Sequence, residues 1–233
     1  YMANRDSKFL KKQKMALGVI GVVVIAVAVY LFTVVISDNV EGEFVEGEHF
    51  FAIEKPRRVR GNKVEVMEFF SYGCIHCYNF DDDLTDWANE KSSQVTLVRT
   101  PVIANDLWRN LGRAHYGLIE LDILEENHLR LFKEIHDGKR NLNTLEKIAS
   151  ILATSEVSED ELLAAFTSEQ VTQKVNRADN LARRFKIASV PNLVVNGKYR
   201  VGASRDVGLM KMLDVVDFLI QQESDLKTNS PAG

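Results

Sequence analysis

The two cysteines of this chain fall in one tetrapeptide, Cys74-Ile75-His76-Cys77, set between a strand-like and a helix-like segment. Ahead of it, Val64-Glu65-Val66-Met67-Glu68-Phe69-Phe70 reads as a buried strand, and behind it residues 78–87 have a helical pattern. Cys74 is then expected at the N-terminus of the helix, with Cys77 one turn further in. A bridge across two intervening residues closes so small a loop that it removes little entropy from the unfolded chain, so it is a poor brace. The spacing suits a reversible two-electron switch instead. Free backbone N–H groups and the helix dipole favour a thiolate at that end, and a protonated His76 in the same turn adds to the effect. Cys74 is the predicted attacking sulfur. Cys77 is the predicted resolving sulfur, which returns to expel a bound partner as the disulfide forms.

A lone C-x-x-C is also half of a zinc site, to be completed from His49, His76, His115, His128 or His136. None of these histidines makes a second paired motif, and no metal site is predicted. The four histidines outside the tetrapeptide read as ordinary surface or satisfied residues.

Residues 16–36 run for 21 positions without a charge, and a helix of about 20 apolar residues crosses a bilayer core. The sequence therefore predicts one transmembrane helix. Arg5, Lys8, Lys11, Lys12 and Lys14 precede it, while Asp38, Glu41, Glu43, Glu46 and Glu48 follow. By the positive-inside rule, residues 1–15 are cytoplasmic and the remainder is exported, where disulfides persist. The rival reading is a cleaved signal peptide, for which Ala26-Val27-Ala28 has the small-residue pattern of a cleavage site. Residues 29–36 extend the apolar run beyond an ordinary signal core. The acidic stretch over residues 37–50 reads as a solvated linker. A formal net charge of −4 gives no basic surface for nucleic acid.

The exported part is long enough for one domain with a real core. Gln94-Val95-Thr96-Leu97-Val98-Arg99-Thr100 predicts a second strand and completes a βαβ unit. Residues 105–185 lose strand character and predict a block of helices, one of which opens with a capping box at Ser158-x-x-Glu161. Asn192-Leu193-Val194-Val195, Asn196-Gly197 and Lys198-Tyr199-Arg200-Val201 predict a hairpin, because both central residues of a type I′ turn need positive φ. A last amphipathic helix is expected over residues 206–222, followed by a polar tail, 223–233, that frays. The order βαβ, helical block, ββα with C-x-x-C opening the first helix predicts an α/β, thioredoxin-like fold with an inserted helical domain over residues 51–222.

With these elements in place, the exported part resembles the bacterial DsbA family of thiol:disulfide oxidoreductases. Three stretches carry the likeness: Phe51-Ala52-Ile53-Glu54-Lys55-Pro56; Val66-Met67-Glu68-Phe69-Phe70-Ser71-Tyr72-Gly73-Cys74-Ile75-His76-Cys77-Tyr78; and Ser189-Val190-Pro191 with Val194-Val195-Asn196-Gly197-Lys198-Tyr199. The resemblance implies Cys74 as nucleophile, Cys77 as resolving thiol, His76 as thiolate stabiliser, and Pro191 as a cis-proline facing the disulfide. It also implies that Val190 offers backbone groups to an extended substrate, and that Glu54 and Glu68 lie beneath the site as possible proton relays. Ile75 stands where the family commonly has proline, which restores a backbone N–H at that position.

The implied activity is a membrane-tethered oxidase of the bacterial inner membrane, catalytic domain in the periplasm, that introduces disulfides into reduced exported proteins. The implied partner is a quinone-linked membrane oxidase of the DsbB type. The Cys74–Cys77 disulfide is itself the redox centre, and no cofactor is expected. A reductase or isomerase of the same fold, and a non-catalytic membrane-anchored binding module, remain the alternatives.

Overall fold

The computed structural model describes residues 25–27, 30, 44–205 and 207–229. The chain divides into two units, Tyr1–Val45 and Glu46–Gly233. Of the first unit, residues 25–27 and Tyr30 are helical. The expected cytoplasmic segment, 1–15, and most of the expected span, 16–36, lie outside the described residues. Among the described residues, no helix is long and apolar enough to cross a membrane.

The second unit is built on a five-stranded mixed sheet in the order β1-β5-β4-β2-β3. Its strands are β1 (Phe51–Ala52), β2 (Val64–Phe70), β3 (Val95–Pro101), β4 (Asn192–Val195) and β5 (Tyr199–Gly202). β2 and β3 are parallel, with Glu68 opposite Arg99, while β4 is antiparallel to both β2 and β5. The parallel pair needs a crossover, which is α1 (Ile75–Glu90). β2 is an interior strand, between β4 and β3, and is buried on both faces. Its alternation turns Met67 and Phe69 toward a cluster with Ile53, Phe185 and Val194, and sends Val66, Glu68 and Phe70 to the opposite face.

Five helices fill the interval predicted as a helical block: α2 (Asp106–Glu120), α3 (Leu124–His136), α4 (Leu145–Leu152), α5 (Glu159–Thr167) and α6 (Glu169–Arg184). α5 opens with the expected reciprocal cap. Glu161 N–H donates to Ser158 Oγ at 3.3 Å, and Ser158 N–H donates to Glu161 Oε2 at 2.8 Å. Gly117 on α2 lets α5 approach closely, since a Cβ there would meet Phe166 Cδ1 at 2.4 Å. The core of this block includes Leu111, Leu118, Leu131, Phe132, Ile148 and Phe166, and it is continuous with Phe70, Tyr72 and Cys77. The inserted helices thus share their core with the active-site turn.

The hairpin turn is formed as expected, with Asn196 at φ 50° and Gly197 at φ 65°. Two boundaries differ from the sequence reading. The expected linker, 37–50, already contains folded chain at its end: Phe50 is buried, with its ring 5.7 Å from that of Tyr199. Acidic neighbours masked an apolar anchor. The last helix, α7 (Leu209–Asn229), runs past the predicted end near residue 222 into the expected tail. Gln221, Gln222 and Glu223 are good helix formers, and Pro231 is the first proline beyond them. Glu223 is also buried. It accepts from Asn196 Nδ2 at 2.6 Å and pairs with Lys198 Nζ at 2.7 Å, pinning α7 to the hairpin turn.

Candidate active site

Cys74 is the N-cap of α1, with extended φ −102° and ψ 114°. Its sulfur faces the Cys77 N–H at 3.4 Å and lies 3.6 Å from the Val190 carbonyl, to which the thiol donates. Both cysteines are free thiols, Cys74 half-buried and Cys77 buried. The difference in setting divides their chemistry. The Cys77 thiol hydrogen-bonded to Cys74 lowers the Cys74 pKa to about 6 against the opposing effect of burial, with smaller help from the N–H groups of Cys77 and His76 and from the His76 charge. Burial pushes the Cys77 thiol far up, and the bond to Cys74 adds to this. Near neutral pH the pair therefore holds a half-buried sulfur anion beside a buried protonated thiol.

The other predicted residues are distributed unequally around this pair. His76 is exposed on the first turn. The Val190–Pro191 peptide bond is cis, and Pro191 is buried directly before β4. Glu68 is almost fully buried on β2, where burial raises its pKa to about 8 against the pull of Arg99. Asp81 and the Cys74 charge push it further in the same direction. Glu54 does not join them. It is exposed beyond β1, paired with Lys186, which holds its carboxyl below the usual range. It lines a cleft of about 590 Å³ with Phe51, Arg184 and Arg200 that contains neither cysteine. β1 is an edge strand separated from β2 by β5 and β4, so Glu54 is carried away from the site and is no buried proton relay.

Several residues at the site had no local signal in the sequence. Arg99 donates Nη2–H to Asp81 Oδ1 at 3.0 Å and lies 3.4 Å from Glu68 Oε2. His128 Nε2 is 2.9 Å from the same Asp81 oxygen, and its Nδ1 is 2.7 Å from the Tyr72 hydroxyl. That hydroxyl is also 3.1 Å from His115 Nδ1. Two of the five histidines weighed as zinc ligands, His115 and His128, thus meet at a tyrosine. Among the described residues, no group of three or more His, Cys, Asp and Glu side chains is placed to hold a metal. His136 bonds the Tyr72 carbonyl at 2.8 Å and stacks on Tyr78, whose hydroxyl donates to Asp137 at 2.6 Å. Trp108 also lies against the turn. A Cβ at Gly73 would sit 2.8 Å from its Nε1, so glycine is what permits the indole to approach. Beyond Trp108 runs a groove of about 450 Å³, lined by Val102, Ile103, Ile187, Ser189 and Val190.

Known proteins resemble this one in both sequence and fold. The family profile described as a DSBA-like thioredoxin domain matches residues 102–213. The thiol:disulfide interchange protein DsbA of Azotobacter vinelandii is 34% identical over 174 residues, covering 73% of this chain and 81% of the relative. DsbA of Pseudomonas aeruginosa is 30% identical over 182 residues, covering 78% and 86%. The crystal structure of Pseudomonas aeruginosa DsbA superposes with a TM-score of 0.76 at 28% identity, covering 81% of this chain and 99% of that one. DsbA from Xylella fastidiosa gives 0.73 at 26%, covering 78% and 98%. With that likeness over most of its length, and with an acidic cysteine capping the first helix, the chain belongs to the DsbA family and is a thiol:disulfide oxidoreductase.

Proposed function

We propose that the chain is a membrane-tethered oxidase that passes the Cys74–Cys77 disulfide to reduced proteins arriving in the periplasm. A substrate thiolate attacks Cys74 Sγ, the Cys74–Cys77 bond breaks, and Cys77 leaves with the electron pair and takes a proton. Glu68, buried and protonated up to about pH 8, is the group suited to supply it. The substrate's second thiolate then attacks its own bridged sulfur and releases Cys74 as the anion. Two electrons have moved from substrate to enzyme, and the substrate carries the new disulfide. His76 stabilises the Cys74 anion, Pro191 faces it, and Val190 presents its backbone to the substrate. The Cys74–Cys77 pair is the whole redox centre.

The observation that carries this direction is the contrast between the two sulfurs. An anion stabilised at Cys74 exists only in the reduced enzyme, so it favours reduction of the enzyme and oxidation of the substrate. Reoxidation is assigned to a quinone-linked membrane oxidase of the DsbB type. The uncharged run over residues 16–36 supports a single-pass anchor in the inner membrane with its N-terminus in the cytoplasm. Tethering raises the concentration of each protein near the other. The test is to equilibrate the full chain with glutathione buffers and trap the thiols. A potential well above that of thioredoxin, near −270 mV, is expected; a value as reducing as that overturns the oxidase assignment.

A further inference from the structure

Arg99 is one cation between two buried carboxylates, and the hydrogen bonds around it are unequal. Asp81 Oδ1 receives Arg99 Nη2–H at 3.0 Å and faces His128 Nε2 at 2.9 Å. Glu68 has only the longer contact to Arg99 Nε, 3.4 Å, and its Oε2 has no hydrogen-bond partner. Full charge on both would leave one buried anion uncompensated, which costs more than holding a proton. We propose that His128 decides which carboxylate shares the Arg99 charge: by donating Nε2–H to Asp81 it fixes Asp81 as the anion and leaves Glu68 holding a proton beneath the cysteines, which makes His128 a positioning residue for the Cys74 thiolate.

The proton positions follow from the donor inventory. A carboxylate accepts only, so neutral His128 carries its proton on Nε2 and presents a lone pair at Nδ1. The Tyr72 hydroxyl, 2.7 Å from that nitrogen, donates to it and can accept from His115 Nδ1–H at 3.1 Å. The run Tyr72, His128, Asp81 thus has one direction, and each donor in it points toward Asp81. The surroundings agree. Burial lowers the pKa of His115 and His128, keeping both rings neutral, while the bonds from His128 and Arg99 overcome burial at Asp81 and hold its carboxyl below the usual range. The facing groups are Glu68 on β2, Arg99 on β3, Asp81 and Thr85 on α1, His115 on α2, Glu125 on α3, and Lys174 on α6, together with Tyr72 and the cysteines. Glu68 is the member whose charge acts on both sulfurs. Were Asp81 to lose its donor, Arg99 would turn to Glu68, and the ionised Glu68 would oppose the Cys74 anion.

This inference rests on the proposed function only in taking Cys74 as the sulfur whose charge matters, and its readout needs no turnover. The ultraviolet thiolate absorbance of the reduced full chain is titrated in five proteins: wild type, His128→Phe, His128→Gln, Glu68→Gln and the His128→Phe/Glu68→Gln double variant. His128→Phe is expected to raise the Cys74 midpoint by about half a pH unit, roughly a threefold loss of thiolate below the midpoint. The same change in the Glu68→Gln background is expected to do nothing, because the messenger is gone. His128→Gln, which keeps an N–H for Asp81, is expected to restore the wild-type midpoint. An equal shift in both backgrounds, or none in a folded His128→Phe protein, overturns the proposal. Nitrogen NMR of the wild-type histidines is independent of any variant: a His128 ring protonated at Nε2 supports it, and a bare Nε2 overturns it. A low redox potential in glutathione would sink the oxidase reading while leaving these titrations intact.

Discussion

An anion held at Cys74 is also a folding term, and its pH dependence can be worked out. The perturbation is Cys74→Ser, compared with wild type with both proteins reduced. The Cys74 pKa is about 6 in the folded protein and about 9 in the unfolded chain, so folding is favoured wherever the thiolate is populated. A depressed folded pKa gives stability that is complete above the unfolded value and lost as pH falls through the folded one. The window is therefore pH 9 down to pH 6. At pH 8 the unscreened linkage is about 2.7 kcal/mol, and at pH 5 it is close to zero. Cys74 is only half-buried, so solvent screening reduces the first figure to about 1–1.5 kcal/mol. Urea unfolding at pH 5 and pH 8 measures it: the wild-type advantage over Cys74→Ser is expected to grow by that amount between the two. An advantage constant within about 0.5 kcal/mol refutes the reasoning, since it would mean that nothing in the fold prefers the anion.

Three further outcomes follow from the same geometry. Cys77→Ala leaves the Cys74 thiolate able to attack a disulfide already present in an exported protein, displacing one of its sulfurs as a thiolate, and removes the enzyme sulfur that would break the new bond, so these mixed disulfides are expected to accumulate and to be visible on non-reducing gels. Glu68→Gln keeps the shape of the buried side chain and removes its titration. The rate of disulfide transfer is expected to fall about tenfold, and the change of rate around pH 8 in stopped-flow pH profiles is expected to vanish. Gly117→Ala drives a methyl group into the Phe166 ring between α2 and α5, with an expected loss of about 1–3 kcal/mol in denaturant unfolding and little change in the Cys74 titration.

What was legible in the sequence was what short-range rules decide. The strand before Cys74, the Asn196-Gly197 turn and the Ser158-x-x-Glu161 cap each depend on a few neighbouring residues, and all three appear where the pattern puts them. The buried polar cluster was not legible. Asp81 and Arg99 lie 18 positions apart and meet only where α1 packs on β3, while His128 is 47 positions beyond Asp81 and meets it only where the inserted helix α3 packs on α1. Each alone reads as an ordinary polar residue. Glu54 failed for the complementary reason: its partner Lys186 is 132 residues away, and nothing beside Glu54 announces that β1 lies at the edge of the sheet. The end of α7 was hidden because the Glu223 carboxylate looks solvated until the hairpin turn is seen to receive it.

Glu223 reaches further than its own helix. β4 is four residues long; Pro191 and the Val190 carbonyl stand at one end, and the turn gripped by Glu223 stands at the other. Loosening that grip by Glu223→Ala is therefore expected to alter the rate of disulfide exchange at Cys74, 3.6 Å from the Val190 carbonyl, in stopped-flow measurements, and an unchanged rate in the folded variant would show that the far tip of β4 does not feel the carboxy-terminal helix.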